Sequence, residues 1–342
     1  MTKDDIFKKI QDIVNNNPVI VLGSGASIGY GIASMGKLAT LLSSHFSSKT
    51  YTDPDCNESV ETFLDNINKG MGLEDALLSV RMPNEIEEEI RMLVWQEINT
   101  SDVSVYNRVL NDEKLALTEL LDHMIYDRKD QIVNIVTTNY DRIAEYSVCQ
   151  IQAYLNTLFT NKPIGEFDAT LSSGKVQQAY TGMVNVLKVH GSLDWFEKNG
   201  KQYSFVNSKE IPVSYTPCII TPGTNKYEKT SQPPYRDLMQ LVDNIFKQTS
   251  GFLCIGYGFN DIHVHPNLLK HSSNRKKTIL IITKEITDAI QKRIIDTKLY
   301  PYIIVADNAG KGSVIYDSSE SAPLYFDKEV FWTIPGLCKI IK

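Results

Sequence analysis

Val19-Ile20-Val21-Leu22, followed at once by Gly23-Ser24-Gly25-Ala26-Ser27, decides the fold. Four consecutive apolar residues leave no side to give to water, which marks a strand buried on both faces. A glycine-rich turn directly after such a strand, leading into a helix, can bring backbone N–H groups close to a phosphate. The turn is shorter than the G-x-G-x-x-G dinucleotide fingerprint, and no acidic residue stands about 20 positions on to meet a ribose. Alone, it fits any phosphate ligand or a plain tight turn.

Upstream, Ile6, Phe7, Ile10, Ile13 and Val14 share one helical face behind a Thr2-x-x-Asp5 capping signal, and Asn15–Pro18 ends that helix. Downstream, the pattern is helical from about Lys37 to Lys129. Its apolar faces are Val60, Phe63, Leu64 and Ile67, then Ile86, Ile90, Leu93, Val94 and Ile98, then Leu117, Leu120, Leu121, Met124 and Ile125. Strand-like runs resume at Ile132–Val136, Val184–Val189, Cys218–Thr221, Phe252–Ile255, Ile279–Ile282 and Tyr302–Val305. Helical faces between them point to an α/β chain with a Rossmann-like, doubly wound parallel sheet. The expected organisation is a Rossmann-like domain of residues 1–36 and 130–342, with a helical module of residues 37–129 inserted. The polar, turn-rich segments Glu197–Ser214 and Asn308–Lys328 read as loops or short hairpins.

The 342 residues carry a formal charge of −6, which argues against broad binding to nucleic acid through phosphate neutralisation. No apolar run reaches the ~18 residues of a membrane span, and the acidic start Met1–Asp5 reads as no signal peptide. Five scattered cysteines form no Cys-x-x-Cys pair, so neither a zinc module nor a disulfide framework is expected, and the cytoplasm is the natural compartment.

Three further segments carry chemistry. Thr137-Thr138-Asn139-Tyr140-Asp141 follows the strand Ile132–Val136, at the end where α/β folds place ligands. Asp141 as a simple helix cap would explain part of it, but not two threonines and an asparagine as well. His190-Gly191 follows Val184–Val189, and a strand-end histidine suits acid–base work near neutral pH. Gly256-Tyr257-Gly258-Phe259-Asn260-Asp261 is a second strand–glycine turn, as a split dinucleotide site needs. His263 and His265 lack further ligands nearby, so no metal is expected there.

In this order the four segments resemble the sirtuin family. Gly23–Ser27 resembles G-A-G-x-S with Ser24 for alanine, and Thr137–Asp141 resembles T-Q-N-I-D with Thr138 and Tyr140 substituted. His190-Gly191 matches the histidine–glycine pair, and Gly256-Tyr257-Gly258 stands where the family has G-T-S. Two features of sirtuin deacylases are missing. Gly31-Ile32 continues as Ala33-Ser34-Met35-Gly36 rather than into P-D-F-R, and no cysteine lies between His190 and Cys218 to begin a zinc ribbon. With His190–Trp195 and Gly256–Asp261, the chain looks most like the bacterial anti-phage branch without zinc.

That resemblance implies NAD as substrate and hydrolysis to ADP-ribose and nicotinamide, starving an infected cell. It implies Asn139, Asp141 and His190 as catalytic residues. Gly23, Ser24, Gly25, Ala26, Ser27, Thr138, Gly256, Tyr257, Gly258, Asn260 and Asp261 are implied to hold NAD. It further implies a homo-oligomer, or a sensing partner in trans such as a HerA-type hexameric ATPase, with no direct nucleic-acid or membrane contact. Protein deacylation or ADP-ribosyl transfer, non-catalytic sensing of NAD or ADP-ribose, and a nuclease subunit are the alternatives. The acidic charge and the lack of a metal–carboxylate cluster speak against the nuclease.

Overall fold

The computed structural model describes residues 2–126, 128, 130–173, 176, 179–205, 209–221, 223 and 233–342. Lys129, the end of the expected helical stretch, lies outside them, as do residues 206–208 of the expected hairpin segment.

Strand β1 (Val19–Leu22) stands mid-sheet, wholly buried, paired in parallel with β2 (Gln131–Thr137) on one side and β9 (Phe252–Ile255) on the other. Beyond β9 run β10 (Ile279–Thr283) and β11 (Tyr302–Asp307), and beyond β2 run β5 (Gly182–Lys188) and β3 (Ala153–Asn156), all parallel. Two antiparallel strands, β12 (Gly312–Asp317) and β13 (Leu324–Asp327), complete the order β13-β12-β11-β10-β9-β1-β2-β5-β3 among the described residues. The segment Asn308–Lys328 thus folds as a hairpin on the sheet edge.

The alternation of the pleat sorts β1 between two cores. Ile20 and Leu22 face one with helices α1 (Lys3–Asn15), α7 (Ala116–Ile125) and α12 (Ile334–Ile341). Val19 and Val21 face the other with α9 (Tyr235–Gln248) and α10 (His265–Arg275). Each such buried aliphatic contributes about 1.5–3 kcal/mol, so a strand with four of them sits where both faces are covered. The expected cap of α1 is present: Asp5 N–H donates to Thr2 Oγ1 at 3.2 Å, and Thr2 N–H donates to Asp5 Oδ2 at 2.9 Å.

Between β1 and β2 the described chain is helical, with α3 (Met35–Phe46), α4 (Pro54–Asn68), α5 (Leu73–Leu78) and the 27-residue α6 (Asn84–Leu110) sharing a third core. Helix α7, next in sequence, packs instead under the parallel sheet. The third core also receives Leu193, Phe196 and Ile219 from a small antiparallel sheet ordered β4-β7-β6-β8. These strands are β4 (Ile164–Glu166), β6 (Gly191–Lys198), β7 (Lys201–Phe205) and β8 (Thr216–Ile219).

This sheet corrects one expectation. The run Cys218–Thr221 contributes β8 to the small sheet, not a strand to the parallel one, because β6 claims it: Gly191 pairs with Ile219. The chain leaves β5 and enters β6 through Gly191, whose φ of +83° and contact with the Cys218 carbonyl leave no room for a Cβ. Gly200, at the tip of the β6–β7 hairpin, has φ +74° but open space around it. Gly191→Ala is expected to lower stability by about 2 kcal/mol or more, and Gly200→Ala by about 1 kcal/mol. Urea denaturation checks this, and equal losses would mean that the Cys218 contact is no constraint.

Candidate active site at the strand ends

The chain runs from β1 to β2 on one side and reaches β9 on the other, so the carboxyl ends of β1 and β9 flank the point where strand order reverses, the crevice where open α/β sheets bind ligands. Both glycine turns lie there and touch backbone to backbone. A Cβ on Gly25 would stand 2.8 Å from Gly256 Cα, and Gly256, at φ +57°, abuts Gly25 and the Ala26 nitrogen. The N–H groups of Gly23, Gly25, Ala26 and Ser27 donate to the carbonyls of Ile255, Gly256, Gly23 and Ser24 at 3.0–3.1 Å. Cross-turn bonds engage the N–H groups of Gly23 and Gly25, and tight i→i−3 bonds engage those of Ala26 and Ser27, so these four donors already have acceptors. A pyrophosphate here has to compete with those internal acceptors.

The segment after β2 is tied to the first turn by side chains. Thr137 Oγ1 donates to the Leu22 carbonyl at 3.1 Å and accepts the Asn139 N–H at 3.0 Å. Asn139 Nδ2 donates to the Gly23 carbonyl at 3.0 Å and to Ser27 Oγ at 3.1 Å. The Gly23 acceptor fixes which amide atom points there, leaving Oδ1 as the atom Asn139 can offer. Ser27 in turn hydrogen-bonds the Asp141 carboxylate, so Asn139, Ser27 and Asp141 form one chain of contacts. Asp141 Oδ1 also accepts the Ile143 N–H at 3.2 Å, an Asx turn leading into helix α8 (Ile143–Cys149), whose N-cap position is Arg142 rather than Asp141. Burial raises the Asp141 pKa, and the nearby Lys188 ammonium opposes that rise. Thr138 is half-buried beside them.

Lys188, the last residue of β5, is wholly buried under this loop. Its ammonium donates to the Tyr140 carbonyl at 3.1 Å, to the Asp141 carbonyl and to Glu145 Oε1 at 3.0 Å. Two residues on, His190 Nε2 lies 3.0 Å from Asp261 Oδ2, close enough for an ion pair but off line for a hydrogen bond. Asp261 is held by the N–H groups of His263 and Val264, both at 2.9 Å to Oδ1. In the order β9-β1-β2-β5, this contact reaches over the ends of β1 and β2 and gathers four strand ends into one site. Tyr257 is buried there, its hydroxyl without a hydrogen-bond partner, and burial lifts its pKa well above the ordinary value. Gly258 anchors the loop by accepting the Thr287 hydroxyl at 2.9 Å, and Asn260 is exposed.

Beside Asn139 and Asp141 is a cavity of about 10 Å³, also lined by Ser27, Thr137 and Tyr30. That volume holds about one water, and its other walls include Leu22, Leu117, Ala144 and Ile334. Sequence reasoning missed Tyr30, Lys188 and Glu145. A lysine inside the run Val184–Val189 was the available signal for the second. Among the described residues no group of three or more His, Cys, Asp and Glu could hold a metal ion. His265 is engaged by the Asp261 carbonyl and by Arg293.

Residues 133–300 match the family model of the SIR2-like domain. The chain carries a SIR2-like domain. The matched span holds Asn139, Asp141, His190 and the Gly256–Asp261 turn, whereas β1 with its glycine turn and helices α3–α6 lie before it. Similar solved structures of the SIR2 class include one described as the structural basis for the mechanism and regulation of Sir2 enzymes, at 16% identity and TM-score 0.38, covering 84% of this chain and 89% of that one. Another, a Sir2 homolog–NAD complex, stands at 12% identity and TM-score 0.42, covering 87% of each chain. No curated protein matches the sequence. Among the described residues, no helix of this SIR2-like chain is long and apolar enough to cross a membrane.

Burial pushes the Glu145 carboxyl up to about 7, outweighing the pull of Lys188. The folded chain thus keeps a proton that the unfolded chain, with the ordinary 4.5, releases. This contribution to stability is fully present below 4.5 and is lost as pH rises through about 7. The melting temperature of Glu145→Gln relative to wild type is expected to climb as pH goes from about 5 to about 7.5. A relative fall would mean that Glu145 is ionised throughout.

Proposed function

We propose that the chain binds NAD across the ends of β9, β1, β2 and β5 and hydrolyses its nicotinamide–ribose bond to nicotinamide and ADP-ribose. The observation that carries this reading is the convergence of Asn139, Asp141 and the His190–Asp261 pair at the point where strand order reverses. The SIR2-like domain over residues 133–300 supports NAD as the ligand.

Cleavage at the nicotinamide ribose passes through a cationic, oxocarbenium-like transition state. Nicotinamide departs with the bonding electrons, so the protein's work is to position, desolvate and stabilise. Asn139 offers only an acceptor, which suits a ribose hydroxyl or the attacking water. Asp141, with Asn139, holds the nicotinamide ribose and orients the attacking water. His190, backed by Asp261, takes the proton as water oxygen bonds to the sugar carbon. Gly23–Ser27, Thr138 and Gly256–Asp261 hold the remainder of the dinucleotide. A role in anti-phage defence by NAD depletion, self-association and a HerA-type or other sensing partner rest on the family resemblance. The alternative reading is an NAD or ADP-ribose sensor, which binds without turnover.

The test is release of nicotinamide and ADP-ribose from NAD by the purified chain, with and without the product of the neighbouring gene. Asn139→Ala and His190→Ala are each expected to slow release by about 100-fold or more while still unfolding cooperatively, Asn139→Ala with a loss of about 1–3 kcal/mol for its two hydrogen bonds. Undiminished release in either variant would overturn the assignment, and tight NAD binding with no release under any condition would favour the sensor.

A further inference from the structure

We infer that helix α6 of the helical module is the positioning element of the site, acting through Asp102 and Trp95. The two residues are seven apart, two helical turns, and so lie on one face of α6. Asp102 is fully buried and receives the Arg142 backbone N–H on Oδ1 at 2.7 Å. Its Oδ2 accepts from the Arg142 guanidinium, with Nε at 3.0 Å, and from the Tyr146 hydroxyl at 2.6 Å. Arg142 directly follows Asp141. Two turns earlier, the Trp95 indole N–H donates to the Leu193 carbonyl at 2.9 Å, in the strand that starts just after His190. One helix face therefore grips the segment carrying Asn139 and Asp141 and the segment leaving His190.

Energetics favours geometry over stability as the purpose. Burying two charges costs several kcal/mol per ion, and a buried pair often adds no net stability over apolar side chains of similar volume. What Asp102 does supply is direction: one carboxylate oxygen fixes a backbone N–H, and the other fixes a side chain and a hydroxyl. Lys188 holds the carbonyls of the same loop from the sheet side, so the loop is clamped from both sides. Displacements of about 1 Å at reacting groups can cost 100-fold in rate. Asp102 and Trp95 are thus positioning residues that touch no substrate.

The inference rests on the proposed NAD cleavage for its kinetic arm only. Asp102→Asn keeps shape and removes charge, and Trp95→Phe removes the N–H. Each is expected to lower kcat by about tenfold or more, with KM for NAD changed much less. Asp102→Asn should cost markedly less in an Asn139→Ala background than in wild type, as expected when one residue acts through the other. The second arm needs no turnover: hydrogen exchange should quicken at the amides of residues 138–143 in Asp102→Asn and stay unchanged in β10 and β11. Tyr146→Phe, a milder loss of one bond to Asp102, should give a smaller effect in the same amides and serves if Asp102→Asn does not fold. Unchanged exchange at residues 138–143, or a uniform rise across the chain, would overturn the inference. Localised exchange with no NAD cleavage by wild type would overturn only the proposed reaction.

Discussion

The arrangement depends on a backbone-to-backbone contact between two glycine turns. Parallel strands stand about 4.8 Å apart, and the turns after β1 and β9 must pack at that spacing while changing direction. Gly25 and Gly256 manage it because neither carries a side chain at the contact. Everything else in the site is referred to that contact: Asn139 reads the Gly23 carbonyl, Ser27 links Asn139 to Asp141, and the loop after β9 brings Asp261 to His190.

Around this contact the chain buries more charge than its cores require. Asp102 with Arg142, and Lys188 with Glu145, lie on opposite sides of the loop after β2. Removing Asp102 would leave the buried Arg142 guanidinium unpaired, a loss of about 3–5 kcal/mol. Charged and polar contacts thus tie the loop to α6 and β5, while the strand beneath it is held by apolar packing.

How much of this was legible follows physical lines. β1, β9, β10 and β11 were readable because strands covered on both faces are continuous apolar runs, and β2 and β5 were readable despite Asn134, Asn185 and Lys188 within them. β3, with Tyr154 and Leu155 only half-buried, shows no such run. β6 and β7 carried a local signal, Asn199-Gly200 between two strands, a pairing that favours a two-residue hairpin turn. The strand character of Cys218-Ile219 was visible but its sheet was not, since membership is set by Gly191, far away in sequence. In the site, Asn139, Asp141 and His190 declared themselves by standing at strand ends. The use of the glycine-turn N–H groups by the turn itself was hidden, because a sequence gives the number of donors but not their partners. Asp102 and Arg142, 40 residues apart, were likewise invisible as a pair.

The contact between His190 and Asp261 has a kinetic consequence. Because it bridges the loops after β5 and β9, it closes over the ends of β1 and β2 like a clasp. Under the proposed function, a ligand passing between those loops has to break that contact on its way in or out. Where that opening is slower than encounter, it rather than diffusion sets the pace of capture and escape. At high ligand concentration the observed binding rate would level off at the opening rate, and the molecule inside would be shielded from bulk solvent for as long as the clasp holds.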